Sequence, residues 1–104
     1  MEQTMKTTFK EEGNSYIMYF EGRLDTAAAV QTDRDMAVLR EANGQDVILD
    51  CTKLSYISSS GLRLFLGLLK TVKPKGSHVF ITGLNNDLRQ VFAMTGFTNL
   101  FEFK

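Results

Sequence analysis

The sequence feature that most limits the fold is a short apolar run, followed after a polar stretch by three consecutive serines and a leucine-rich segment. The run at residues 47–51 is apolar except at Asp50, which is typical of a β-strand covered on both faces. We expect a polar turn and then a helix from Ser59 or Ser60 to Val72. The first N–H groups of a helix have no helical partner, so this position suits a capping hydroxyl and, better still, a phosphate group.

The rest of the chain alternates between strands and helices. Gly13 and Asn14 separate the first two strands and predict a hairpin. The second strand is apolar on both faces near its middle and should lie inside the sheet. Helices join the later strands, so the chain must cross over and part of the sheet must be parallel. The predicted strands are 7–12, 16–21, 47–51, 78–82 and an extended piece at 97–103; the predicted helices are 27–42, capped by Asp25 or Thr26, 59–72, and one capped within 85–87 that ends at Gly96.

Composition limits the class of protein. The chain has 104 residues, 43% of them hydrophobic and 23% charged, as expected for one globular α/β domain. The formal net charge is zero, so no overall field attracts nucleic acid or an anionic membrane. Lys70, Lys73 and Lys75 are more simply explained as a solvated helix end. Residues 1–6 lack the apolar core of a signal peptide, and no apolar run could span a bilayer. We therefore expect a soluble cytoplasmic protein.

Catalytic chemistry is weakly supported. His78 is the only histidine, and the serines lack the Gly-x-Ser-x-Gly context of a nucleophile elbow. Asp25 and Asp50 could form a carboxylate pair near Ser59, although capping or bracing a loop is the commoner role. Cys51 is expected to be a small buried hydrophobe. The sequence predicts neither an enzyme nor a bound cofactor or metal, because every constellation lacks a base or a cofactor.

Two leucines make the apolar surface of the second helix unusually wide. Leu64 and Leu68 extend it to an arc of about 200°, whereas a buried stripe usually covers about 100°. A neighbouring helix could cover these two side chains, which is the interpretation we favour slightly. Alternatively, they form a partner surface beside the serines.

Three short motifs occur in the chain: Gly22-Arg23-Leu24-Asp25, Val47-Ile48-Leu49-Asp50 and Ile57-Ser58-Ser59-Ser60-Gly61-Leu62. At these separations they resemble the STAS domain of bacterial anti-sigma-factor antagonists. The resemblance covers nearly the whole chain and implies a mixed sheet with helices packed mainly on one face.

The resemblance also implies a function in partner switching. In this family a serine kinase with a histidine-kinase-like ATPase domain, itself an anti-sigma factor, phosphorylates a serine at the start of the second helix. The unphosphorylated antagonist binds the kinase and frees the sigma factor, and a metal-dependent serine/threonine phosphatase restores it. From the zero net charge we expect no nucleic-acid or membrane partner.

The family pattern transfers residue by residue. Ser59 takes the place of the phosphoacceptor, and Ser58 takes the place of the aspartate that commonly precedes it. Because of this departure, kinase recognition could differ and Ser58 becomes a second candidate acceptor. Asp25 matches an aspartate of the kinase-binding face. Together with the two leucines of the wide apolar arc, the predicted partner-binding residues are Asp25, Thr26, Ser58, Ser60, Gly61, Leu64 and Leu68.

Three alternatives remain open from the sequence. Residues 58–60 could do no more than cap a helix. The chain could be a STAS interaction module without a switch, such as an accessory subunit of a lipid transporter or a component of a sensory complex. It could also be an enzyme acting through Asp25, Asp50 and Ser59, which would need a deep polar pocket joining the three.

Overall fold

The protein forms one mixed five-stranded sheet whose strands lie side by side in chain order. The structure, a computed structural model, describes residues 5–104. Strands β1 and β2 form an antiparallel hairpin, and each later strand is parallel to the one before it. This confirms the predicted hairpin, the mixed sheet and the interior position of the second strand. The strands are β1 (Lys6–Glu12), β2 (Ser15–Leu24), β3 (Asp46–Ile57), β4 (Val79–Thr82) and β5 (Glu102–Phe103).

The helices connect the parallel strands and bury one face of the sheet. Three aromatic rings join the layers: Phe65 lies 5.2 Å from Phe20 and 6.4 Å from Phe92, measured between ring centroids. All three rings are buried, so they link the sheet to two helices. The helices are α1 (Thr26–Asp35), α2 (Ser59–Val72) and α3 (Asn86–Met94), and 3₁₀ turns follow at Met36–Glu41, Lys73–Lys75 and Phe97–Asn99.

Within residues 5–104 the opposite face of the sheet has no helical layer, which corrects the prediction that the third strand is covered on both faces. Val47 and Leu49 are buried in the core, whereas Ile48 points the other way and is half-buried. Its cross-strand neighbours Ile17 and Phe80 shield it. An apolar row across adjacent strands thus limits exposure without a second layer.

Strand β3 is longer than predicted, and no turn follows Cys51. Residues 52–57 continue the strand because β2 also continues, to Leu24, and pairs with them. Two irregularities in the β2–β3 register break the regular alternation of buried residues, so that Leu54 and Ile57 are buried three positions apart. A pattern of period two therefore missed this half of the strand.

Other boundaries also differ from the predictions. The first helix changes to a 3₁₀ turn after Asp35, where Met36 and Leu39 are both buried. Residues three apart share a face in a 3₁₀ helix, so this turn buries both. The last predicted strand, 97–103, is a 3₁₀ turn and a two-residue strand. No helix within residues 5–104 has the length and apolarity needed to cross a membrane. The expectation that there is no signal peptide rests partly on residues 1–4, which lie outside the described residues.

Candidate functional site

Two of the sequence motifs meet at the carboxyl edge of the sheet. Leu24 is the last residue of β2 and pairs with Ile57, the last residue of β3. Just beyond this pair, the Ser58 N–H donates a 2.8 Å hydrogen bond to the Leu24 carbonyl oxygen. Asp25 follows β2 directly and Ser59 follows β3 after Ser58, so both lie at this edge of the sheet. The structure therefore brings together Asp25 and the serine segment.

Gly22 shapes the end of β2. Its φ of +107° lies in a region that favours glycine, and the β2–β3 register shifts between Gly22 and Arg23. The Ser55 hydroxyl donates a 2.9 Å hydrogen bond to the Gly22 carbonyl oxygen. This bulge sets the direction in which Leu24 and Asp25 leave the strand.

Asp25 is the N-cap of α1. Its Oδ1 accepts a 2.8 Å hydrogen bond from the Ala28 N–H, while Thr26 is the first helical residue and is exposed. Of the two predicted caps, Asp25 is the one used. A carboxylate here satisfies a free N–H group and complements the helix dipole.

Ser58, the first of the three serines, is the N-cap of α2. Its hydroxyl oxygen accepts a 3.2 Å hydrogen bond from the Gly61 N–H, and Ser58 is only 9% exposed. Ser59 is the first residue of the helix and is exposed, whereas Ser60 is half-buried. The capping role and the exposed hydroxyl therefore belong to different serines.

Gly61 allows the first turn of α2 to pack against the ends of both strands. A Cβ atom at this position would stand 2.7 Å from Leu24 Cγ and 2.8 Å from Ile57 Cγ1. Both neighbours are buried. Gly61 is itself buried, so a partner can reach at most its backbone.

The two leucines that widen the apolar arc of α2 differ in burial. Leu68 is fully buried and Leu64 is half-buried, because α1 and the turn Met36–Glu41 pack against α2. The interpretation that a neighbouring helix covers them is right for Leu68. Its assignment as a partner-binding residue is therefore wrong, and Leu64 remains the only one of the pair within reach.

The proposed carboxylate pair does not form. Asp50 lies seven positions before Ile57 in β3, which places it about 23 Å from the end of the strand at about 3.3 Å per residue. Its carboxylate accepts a 3.0 Å hydrogen bond from the Thr52 N–H. The cleft beside Asp50 is lined by residues of β1, β2 and β3 and contains neither Asp25 nor Ser59.

The single histidine of the chain does not lie near the serines, and the neighbouring Asp25 carboxylate is occupied as the cap of α1. His78 precedes β4 and so belongs to the amino edge of the parallel strands, opposite Ser59, and its Nδ1 lies 2.6 Å from a Glu102 oxygen. Burial, together with the charge of Asp50, raises the pKa of the Cys51 thiol well above its usual range. Cys51 is fully buried, as the sequence predicted. Within residues 5–104, no three His, Cys, Asp or Glu side chains are placed to hold a metal ion.

Sequence reasoning missed three cationic or aromatic residues around the site. The Arg23 guanidinium carbon lies 4.3 Å from the ring centroid of Tyr56, at the end of the same two strands. Arg63 is exposed on α2, four positions after Ser59. The spacing of Ser59 and Arg63 was visible in the sequence, whereas the Arg23–Tyr56 contact depends on the strand register.

The family model for the STAS domain matches residues 6–104. The chain therefore belongs to the STAS domain family, as the motifs indicated. BtrV of Bordetella bronchiseptica is 30% identical over 97 residues, which cover 93% of this chain and 84% of BtrV. The anti-sigma-B factor antagonist of Listeria monocytogenes is 28% identical over 96 residues, covering 91% of this chain and 84% of that protein.

The fold is shared with SpoIIAA, a cell fate determinant of Bacillus that is also described as an anti-sigma factor antagonist. Its unphosphorylated and phosphorylated forms each match with a TM-score of 0.72 and 19% identity, covering 95% of this chain and 87% and 91% of theirs. The likeness confirms the predicted single α/β domain with a mixed sheet. An antagonist of an anti-sigma factor is a regulatory binding protein and not an enzyme, in agreement with the expectation from the sequence.

Proposed function

We propose that this protein is an anti-sigma-factor antagonist that is switched by phosphorylation of Ser59. In this account the unphosphorylated protein binds an anti-sigma factor, which releases the sigma factor. The general role is supported by the names of relatives that align over more than nine-tenths of the chain. The switch is supported chiefly by one structural observation, the exposure of Ser59 at the first position of α2.

The contrast with Ser58 favours Ser59 as the acceptor. A kinase must reach the hydroxyl, and the Ser58 hydroxyl is nearly buried and occupied as the cap of α2. Phosphorylation of Ser58 would remove that cap and force a dianion into a site with little room. Phosphorylation of Ser59 leaves the cap in place.

A phosphate at Ser59 is compatible with the fold. It adds about −1.5 to −2 charges at neutral pH, and the start of α2 offers free N–H groups and the positive end of the helix dipole. The antagonist therefore stays folded, and the effect falls on the complex. Desolvating or repelling a dianion at an interface costs a few kcal/mol, which weakens affinity about a hundredfold or more.

The partner-binding surface is proposed to surround Ser59. It takes in the cap of α1, the exposed start of α1 and the first turns of α2. The backbone of the buried residues in this segment contributes, whereas the side chain of Leu68 does not. The proposed contact residues are Asp25, Thr26, Ser58, Ser60, Gly61 and Leu64.

The proposed partners follow from the same role. One is an anti-sigma factor that is also a serine kinase with a histidine-kinase-like ATPase domain, and the other is a serine/threonine phosphatase that removes the phosphate. Both would meet the protein in the cytoplasm. Because Ser58 stands where the family commonly has aspartate, a second candidate function is a STAS interaction module without a switch.

Titration calorimetry with the candidate kinase tests this proposal. We expect Ser59→Ala to bind like the wild type and Ser59→Asp to bind about tenfold more weakly or worse, since a single negative charge imitates part of the phosphate. Gln90→Glu on the exposed face of α3 is the matched control for an added charge and should bind normally. Equal affinity of Ser59→Asp and wild type would reject the switch, and a pull-down that recovers transporter subunits but no kinase would favour the second candidate function.

A further inference from the structure

Arg63 occupies the helical position that lies nearest to Ser59 along the exposed face of α2. The helix runs without interruption from Ser59 to Val72, so residues 59 and 63 are related by one turn. Side chains four apart in an α-helix are neighbours, with Cβ atoms about 5–6 Å apart. Ser59 and Arg63 are both exposed, so their side chains share the solvent side of the helix.

The Arg63 guanidinium is not committed to a carboxylate. The ion pairs within residues 5–104 are Lys10–Glu12, Arg40–Asp33 and His78–Glu102, and none of them includes Arg63. Arg23, the other arginine near the site, lies over the ring of Tyr56. Arg63 is therefore the cation within one turn of Ser59 that is available for a new contact.

We propose that Arg63 binds the phosphate of phosphorylated Ser59 within the same helix. This inference rests on the proposed function only for the identity of the modified residue. The guanidinium presents several N–H donors in a planar fork, and the phosphate offers three strong acceptor oxygens. An acidic group that precedes a basic one by four residues is the more favourable order in a helix, and the phosphate at the first position of α2 also complements the helix dipole.

The contact gives the switch a second effect. Before modification, this part of α2 presents one exposed cation to a partner. After modification, Arg63 is held by the phosphate, and the charge of the pair changes from +1 to about −1. A partner that contacts Arg63 thus loses a cation at the same moment that it meets an anion. The carboxylate of Asp25, at the adjacent start of α1, repels the phosphate once Ser59 is modified.

The contact can be tested without any kinase. Phosphoserine is incorporated during translation at position 59 of the full chain, and the second ionisation of the phosphate is followed by ³¹P NMR as a function of pH. We expect the pKa of the phosphate to be about half a unit higher in Arg63→Gln than in the parent phosphoprotein, because the guanidinium stabilises the dianion. Arg63→Lys should give an intermediate value, since lysine keeps the charge but not the fork.

Lys70→Gln is the matched control, because it removes an exposed cation of α2 that lies about three turns from Ser59. It should leave the phosphate pKa unchanged. The same phosphate pKa in Arg63→Gln and in the parent phosphoprotein would overturn the proposal. Because the phosphate is installed by translation, this outcome is independent of whether a kinase modifies Ser59, so the two proposals fail separately.

Discussion

The backbone N–H of Ser58 donates a 2.8 Å hydrogen bond to the carbonyl oxygen of Leu24, and this bond ties together two motifs that are far apart in the chain. Beyond it, each strand continues into its own helix, with Asp25 as one cap and Ser58 as the other. The position of the exposed Ser59 is thus fixed by two paired strands and two capped helices. It does not depend on a mobile loop.

The close approach of Gly61 to Leu24 predicts that Gly61→Ala destabilises the protein. The new Cβ would stand 2.7 Å from Leu24 Cγ, and overpacking of this kind costs about 1–3 kcal/mol. Part of this is offset by the better helix propensity of alanine, worth about 1 kcal/mol. We expect a net loss of up to about 2 kcal/mol in the free energy of unfolding, measured by urea denaturation.

Gly67→Ala provides the control within the same helix. Gly67 is exposed, and a Cβ there meets no atom within 4 Å. Because the new Cβ causes no overpacking, only the higher helix propensity of alanine affects stability. This variant should therefore be more stable than the wild type by about 0.5–1 kcal/mol. A Gly61→Ala variant that is stabilised to the same extent would show that the first turn of α2 is not packed against the strands.

The division of roles between the serines predicts different stabilities for two neighbouring alanine variants. Ser58→Ala removes the cap of α2 and should lower the free energy of unfolding by about 1 kcal/mol. Ser59→Ala removes an exposed hydroxyl and should change it by less than about 0.5 kcal/mol. Urea denaturation of both variants at one pH measures the difference. A larger loss of stability in Ser59→Ala than in Ser58→Ala would show that Ser58 is not the cap of α2.

Two substitutions of Asp25 distinguish its role as the cap of α1 from the role of its negative charge in partner binding. Asp25→Ala removes the acceptor for the Ala28 N–H and should cost about 1 kcal/mol in stability. Asp25→Asn keeps a capping oxygen, so its stability should change by only a few tenths of a kcal/mol. If the carboxylate contacts the partner, both variants should bind the kinase more weakly in a titration. Wild-type affinity in Asp25→Asn would limit this residue to its capping role.

Cys51 predicts a specific loss of stability at alkaline pH. Its thiol pKa is raised in the folded state from an ordinary value of 9.0, so the unfolded chain loses this proton first. The contribution of the Cys51 thiol to the free energy of unfolding is therefore fully present below pH 9 and is lost as pH rises above 9. Between pH 8 and 10, the wild type should lose about 1.4 kcal/mol more than Cys51→Ala. Parallel pH dependences of unfolding in the two proteins would contradict the assigned burial.

The sequence was sufficient to predict the order of the elements and the limits of α2, because leucines at helical spacing and three serines mark that helix clearly. It did not reveal the second half of β3. Thr52 and Lys53 are both exposed between buried residues, and only pairing with β2 makes this segment a strand. It also left the capping serine open among residues 58–60, since the neighbouring hydroxyls are chemically alike and packing against Leu24 decides between them.

The central claim, that a kinase modifies Ser59, is tested most directly by intact-mass spectrometry after incubation with the candidate kinase and ATP. We predict that the wild type and Ser58→Ala each gain the mass of a single phosphoryl group. Ser59→Ala, which should remain folded, is predicted to gain none. Phosphorylation of Ser59→Ala at the wild-type rate would contradict the account.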